Sequence, residues 1–209
     1  RRPCRLAMEG RDVAALRAIH ASGLFDETFY LERYPDVARA DANALQHYYF
    51  RGAFEGRDPN ALFDSEWYLA TNSDVREAGT NPLVHYVEFG EAEGRRPSVY
   101  FDPAYYRYQL SSAALMDVTS PLRHYLEGGW AQYSPNEYFD APYYLASFSD
   151  VAALGREPLG HYLAQGWREH REMHRVLSFK RYGEELHLRL GRPVVPLRYY
   201  LLDGRQAGD

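Results

Sequence analysis

The sequence predicts an all-α fold, an α-solenoid-like array of about five short-helix repeats, and three observations carry that prediction. The pair Phe-Asp begins at Phe25, Phe63, Phe101 and Phe139, each 38 residues after the last. The pair His-Tyr begins at His47, His85, His124 and His161, in steps of 38, 39 and 37. A glycine follows each His-Tyr pair at a constant offset, at Gly52, Gly90, Gly129 and Gly166. A period of this length marks a unit that cannot bury its apolar stripe alone and does so by stacking on copies of itself. The copies run over 24–61, 62–99, 100–137, 138–176 and 177–209, the fifth degraded but ending in Gly204 at the same offset. Residues 1–23 precede them, with Val13, Leu16 and Ile19 on one helical face and Gly23 as a stop, and are expected to cap the array.

Each part of the repeat has a local cause. Asp26, Asp64, Asp102 and Asp140 are expected helix N-caps, whose short carboxylates accept the first free N–H groups. The phenylalanine before each cap and the tyrosine four residues after it have the spacing of a hydrophobic staple. A short entry helix follows, Pro35 is expected to break it in the first copy, and Asp36-Val37, Asp74-Val75 and Asp150-Val151 open a second turn. Pro82, Pro121, Pro158 and Pro196 suit the first position of a further helix, with Ala44 there in the first copy. Its apolar residues fall at i, i+3 and i+4, as in Leu83, Tyr86 and Val87. The glycines at Gly52, Gly90, Gly129, Gly166 and Gly204 are expected to end that helix in the left-handed conformation.

Composition narrows the function. The chain has 209 residues, 45% of them hydrophobic and 15% aromatic, with 19 tyrosines. That is enough apolar material for a core, so disorder is not expected. A formal charge of −5 and the lack of long basic runs argue against a nucleic-acid surface. No stretch reaches the ~20 apolar residues of a membrane span. Cys4 stands alone, which excludes an internal disulfide and a cysteine-built zinc site, and fits a reducing compartment. Export to the cell surface or beyond remains compatible with so few cysteines. The chain opens on Arg1-Arg2-Pro3 and is expected to be a segment of a longer protein whose remainder carries the main activity.

The recurring polar residues call for structural roles before chemical ones. His47, His85, His124 and His161 stand one repeat apart, too far to share a metal. Each is expected to be half buried and bonded to a backbone carbonyl or a carboxylate between repeats. His170 and His174 have the i, i+4 spacing of helical metal ligands, but their order is not that of a metalloprotease, and no metal or other cofactor is expected. Arg57, Arg95 and Arg171 accompany Asp36, Asp74 and Asp150, whereas the third copy carries Ser112 and Ser134 at the corresponding places. The joint loss implies an Asp–Arg pair tying the middle turn to the closing loop, within a copy or across its boundary.

No nucleophile elbow, phosphate-binding glycine loop or dinucleotide fingerprint occurs, and recurrence in every copy is unlike an active site, so the chain is not expected to be an enzyme. Trp67, Trp130 and Trp167 are the candidate ligand-facing aromatics. Trp130 and Trp167 both follow the repeat glycine, where the first two copies have Ala53 and Glu91.

The pattern Phe63-Asp64-x-x-Trp67-Tyr68-Leu69, Asp74-Val75, Pro82-Leu83-x-His85-Tyr86, Gly90-x-x-Glu93-Gly94-Arg95-x-Pro97 resembles a repeat of bacterial proteins. It is similar to repeats flanking glycosyltransferase domains in cell-surface polysaccharide synthesis, to repeats in some large secreted proteins, and loosely to Sel1-like and tetratricopeptide arrays. The resemblance covers about residues 24–206. Copies one, two and four fit it; the third departs at Ser112, Tyr133 and Ser134, and the fifth departs widely. It implies an accessory role near glycan chemistry, beside a possible glycosyltransferase in the rest of the protein, and supplies no catalytic residue. The sequence thus points to a non-catalytic scaffold in the bacterial cytoplasm, holding a protein partner or another domain of its own chain. A carbohydrate-binding module guiding a glycan to an adjacent enzyme is the alternative.

Overall fold

The computed structural model describes residues 10–115 and 117–203. Arg1, Arg2, Pro3, Cys4 and Gly204 lie outside them. Among the described residues the fold is all helical, with no strand. The chain divides into two compact units, Arg1–Ser98 and Val99–Asp209, so the division falls inside the repeats, between the second and third copies.

The entry helices form where the caps stand, at Glu27–Arg33, Ser65–Thr71, Pro103–Ser112 and Ala141–Ser147. Asp26 accepts the Phe29 N–H at 2.9 Å, Asp64 that of Trp67 at 2.8 Å, Asp102 that of Tyr105 at 3.1 Å and Asp140 that of Tyr143 at 3.0 Å. The staple closes beside each cap: the Phe25–Tyr30, Phe63–Tyr68 and Phe139–Tyr144 ring centres lie 5.3 Å apart, and those of Phe101–Tyr106 5.4 Å.

The break after the entry helix recurs in copies that lack a proline. Middle helices begin at Pro35–Arg39, Ser73–Glu77 and Ser149–Ala153, so Pro35 is a good first residue rather than the cause. The cause lies in the closing loop. Tyr34, Asn72 and Phe148 take non-helical backbone angles at the break. The Arg57 guanidinium lies 5.0 Å from the Tyr34 ring centre, Arg95 donates to Asn72 Oδ1 at 3.0 Å, and Arg171 lies 4.8 Å from the Phe148 ring. In the third copy Leu110 holds this place and is buried, and the arginine station is taken by a tyrosine, Tyr133. There the helix runs on unbroken to Ser112.

A third helix then starts on a side-chain cap, Asn43, Asn81, Ser120 or Glu157. In copies two and four it widens into a π turn, Tyr86–Gly90 and Tyr162–Gly166. The tyrosine content is explained by what this helix meets. Tyr30 and Tyr48, Tyr68 and Tyr86, Tyr106 and Tyr125, and Tyr144 and Tyr162 are fully buried and cross nearly at right angles, 5.8–6.1 Å between centres. Such edge-to-face pairs add to the apolar area that the rings bury. The fifth copy keeps this pair, Tyr182 and Tyr200 at 5.6 Å and 90°, on a longer entry helix Phe179–Leu190 with no middle helix after it.

The copies close on themselves, and within each unit a copy caps the next. The Asp26 N–H reaches the Pro59 carbonyl at 2.9 Å, and Asp140 that of Met173 at 2.9 Å. One residue earlier, the Asp58, Ser134 and Glu172 side chains accept the first N–H of the following entry helix, from Ser65, Ala141 and Phe179. Tyr48 also reaches across this seam, to Ser65 Oγ at 3.1 Å. Alanine at position 141 offers Tyr125 no such group, and its buried hydroxyl faces the Glu157 carboxyl instead. The leading helix Gly10–Ser22 ends at Gly23, φ +70°, and packs Ala15, Leu16 and Ile19 on the third helices of both the first and second copies.

The repeat glycines depart from expectation. Gly52, Gly90, Gly129 and Gly166 do not take a positive φ, whereas Gly56 and Gly94, four residues after the first two of them, do. The reason is steric. A Cβ at each of the four would overlap the hydroxyl of the entry-helix tyrosine, Tyr30, Tyr68, Tyr106 or Tyr144.

Candidate functional site

That same hydroxyl identifies the histidine's partner. Tyr30 meets His47 Nδ1 at 3.0 Å, Tyr68 meets His85 at 3.0 Å, Tyr106 meets His124 at 2.7 Å and Tyr144 meets His161 at 3.1 Å. The partner is therefore a phenol of the same copy, not a carbonyl or carboxylate between repeats. Burial pushes the Tyr30, Tyr68, Tyr106 and Tyr144 phenols far up, so they stay protonated. Burial first, and the neighbouring arginine second, hold the His47, His85 and His161 imidazoles below their ordinary value. A neutral ring accepting the phenol proton at Nδ1 carries its own proton at Nε2. The tyrosine, histidine and glycine form one clasp, made four times.

The arginines form a second recurring group. Arg57 binds Asp36 at 3.0 and 2.9 Å, Arg95 binds Asp74 at 2.9 and 2.8 Å, and Arg171 binds Asp150 at 2.9 and 2.7 Å, each through both terminal nitrogens. Their Nε atoms hold Glu55, Glu93 and Glu169. The pair closes within one copy. The arginine hydrogen bonds hold the Asp36 and Asp150 carboxyls below the ordinary carboxylate value, and Asp74 at about 2. The third copy corrects the sequence alignment. The Tyr133 N–H bonds the Gly129 carbonyl as Arg57 bonds Gly52 and Arg95 bonds Gly90, so Tyr133, not Ser134, holds the arginine station. Its ring packs on Tyr106 and His124 instead of on a carboxylate.

Because the three aspartates are exposed to water, the pair acts mainly on the break beneath it. Arg95→Ala is expected to lower the melting temperature slightly and to speed amide exchange at Ser73–Glu77 while leaving Ser65–Thr71 protected. The melting difference is expected to shrink at ~1 M salt, where exposed charges are screened. Unchanged exchange at the middle helix would contradict this role.

His170 and His174 do not share a helix. His170 lies in a turn at φ +54°, and His174 Nδ1 accepts the Val176 and Leu177 N–H groups at 3.1 and 3.0 Å. Among the described residues no group of three His, Cys, Asp or Glu side chains could hold a metal. No helix there is long and apolar enough to cross a membrane.

The candidate aromatics separate. Trp67 stands at the third position of its entry helix, where the other copies have Phe29, Tyr105 and Tyr143; all four are half buried. Trp130 sits in the short turn Gly129–Ala131. Trp167 holds the equivalent place in copy four and lines a cleft of about 500 Å³ between that copy's closing loop and the fifth copy. The cleft has an apolar floor of Trp167, Leu188, Pro193 and Val194. Its polar lining is Arg168, His170, Arg171, Lys180, Glu184 and His187. The Trp167 indole N–H is already bonded to the Leu163 carbonyl at 3.1 Å, and the Arg168 guanidinium lies 4.6 Å over the ring.

Arg168, Lys180 and Gly183 went unremarked in the sequence, yet a signal for them exists. Lys180 is the only lysine in the chain, and Gly183 follows the entry-helix tyrosine where Leu31, Leu69 and Leu145 do in copies one, two and four. Comparison with protein-family profiles, curated proteins and solved structures finds no match to this chain.

Proposed function

We propose that this chain is a non-catalytic interaction domain, an α-solenoid-like scaffold that holds a protein partner or another domain of the same polypeptide. One observation carries the reading. The recurring groups with chemical potential are engaged inside the repeat that bears them: the N-cap aspartates cap, the entry-helix phenols and the imidazoles clasp, and the arginines of copies one, two and four pair. What remains for a ligand is the part built once, the cleft beside Trp167. Neutral imidazoles bonded to protonated phenols supply neither a nucleophile nor a base with a free substrate side. The resemblance to repeats beside polysaccharide glycosyltransferases supports a setting near bacterial cell-surface glycan synthesis, and the scarcity of cysteine supports the cytoplasm.

A carbohydrate-binding role is the second reading. It is favoured by one half-buried aromatic per copy at a fixed station, Phe29, Trp67, Tyr105 and Tyr143, a side chain suited to stacking on sugar rings. Random-peptide display against the chain, counter-selected with Trp167→Ala, is expected to enrich sequences that the variant fails to bind. In parallel, oligosaccharides titrated against the intrinsic fluorescence of the tryptophans are expected to give no saturable change. Enrichment of nothing, with a saturable glycan response lost in Trp67→Ala, would replace the first reading by the second.

A further inference from the structure

We propose that the cleft of the fourth and fifth copies binds an acidic peptide segment of a partner protein, one apolar side chain seated on its floor and a carboxylate held at Lys180 and Arg168. The proposal rests on the interaction reading above and specifies the chemistry of the partner.

The fifth copy departs from the repeat there. Leu31, Leu69 and Leu145 are half buried after their entry-helix tyrosines, whereas beside Gly183 the Pro196 ring takes the place of a side chain, since a Cβ would lie 2.8 Å from Pro196 Cγ. The lining continues into Leu188, which is 83% exposed although it lies beside Trp167, Pro193 and Val194. A pocket of this size takes one or two side chains, and covering such a surface with an apolar group is favourable.

Charge selects the rest of the ligand. Arg171 is neutralised by Asp150 and Glu169. Arg168 and Lys180 have no ion-pair partner among the described residues, and Glu184 is the one carboxylate of the lining. His170 and His187 add two further donors. The chain carries −5 overall, so this cationic rim is a local feature and complements an anion. A sugar fits it poorly. No Asn, Gln, Asp, Ser or Thr lines the cleft, the Trp167 N–H is spent on Leu163, and Arg168 covers one face of the ring.

The test uses two signals placed in the cleft: the indole N–H of Trp167, one of three in the chain, and the ε-amine of Lys180, its only lysine, carrying ¹³C-methyl labels. A blocked hexapeptide alternating glutamate and leucine is expected to shift both signals saturably below ~1 mM. Lys180→Glu, at an exposed position, is expected to weaken that binding at least ~10-fold, about 1.4 kcal/mol, with the fold intact. Peptides alternating lysine and leucine, or glutamate and serine, are expected to bind at least ~10-fold more weakly. Equal binding of the lysine–leucine peptide, or silence of both cleft signals up to ~5 mM, overturns the proposal. Shifts at Trp67 or Trp130 with Trp167 silent overturn it while leaving the interaction reading standing.

Discussion

Gly90→Ala is expected to destabilise the protein by about 3 kcal/mol, and adding Tyr68→Phe to recover most of that loss. By propensity alone the alanine should help, because it is the better residue in a helical turn by up to about 1 kcal/mol. The structure reverses the sign. Gly90 lies at the end of a π turn, and its missing side chain is the space occupied by the Tyr68 hydroxyl. The next neighbours are Tyr86 Cδ2 at 3.3 Å and His85 Nδ1 at 3.5 Å, so the phenol has little room to retreat. Forcing it out breaks the 3.0 Å bond to His85 and disturbs a fully buried ring. Tyr68→Phe alone removes the bond for a modest cost of about 1 kcal/mol. It also removes the atom that the alanine meets, so the double variant should be close to the phenylalanine variant in chemical denaturation. A left-handed glycine predicts the opposite: the alanine penalty would be the same with tyrosine or phenylalanine at position 68. Additive losses would therefore refute the clasp.

This contrast shows how far the sequence could be read. The period, the caps at Asp26, Asp64, Asp102 and Asp140, the staples, and the partnership of Arg57, Arg95 and Arg171 with aspartate were legible because each depends on residues close in sequence or repeated in register. The function of the glycine was not, because a glycine after a helix has two explanations, conformation and clearance, and only the position of a side chain 22 residues earlier decides between them. The histidine's partner was hidden for the same reason, being a tyrosine 17 residues upstream already assigned to the staple. Tyr133 was missed because the third copy gains a residue before His124 and loses one after Gly129, and pattern matching placed the compensation one residue late. The cleft was invisible for a different reason. It is lined by what sets the fifth copy apart, Gly183 and the residues Pro193, Val194 and Pro196 where a middle helix would lead, and a departure in a degraded copy looks like noise.

The same comparison of copies exposes a pH-sensitive weakness in the fourth. The third helix is capped by neutral groups in the first three copies, Asn43, Asn81 and Ser120, and by Glu157 in the fourth. Glu157 accepts the Leu159 N–H at 3.0 Å and the Gly160 N–H at 2.5 Å. Those bonds favour its charged form, but burial outweighs them and pushes the carboxyl up from 4.5 to about 7. A carboxyl whose folded value lies above its unfolded one stabilises the fold below the unfolded value and loses that stabilisation as pH rises through the folded one. The window is therefore about pH 4.5 to 7, and the gap corresponds to roughly 3 kcal/mol. Asp58, raised by burial to about 7, acts in the same direction from the other unit. The arginine-bound Asp74, lowered to about 2, acts in the opposite sense only below its ordinary value of 3.8. His47, His85 and His161, held below their ordinary 6.5 by burial, oppose the two carboxyls inside the window, so the carboxyl contribution is read against a variant. Glu157→Asn, which installs the cap that copies one and two use, is expected to raise the melting temperature at pH 8 more than at pH 5. Asp58→Asn should act in the same direction. An equal shift at pH 5 and pH 8 in Glu157→Asn would mean that the buried carboxyl is not what separates the fourth copy from the other three.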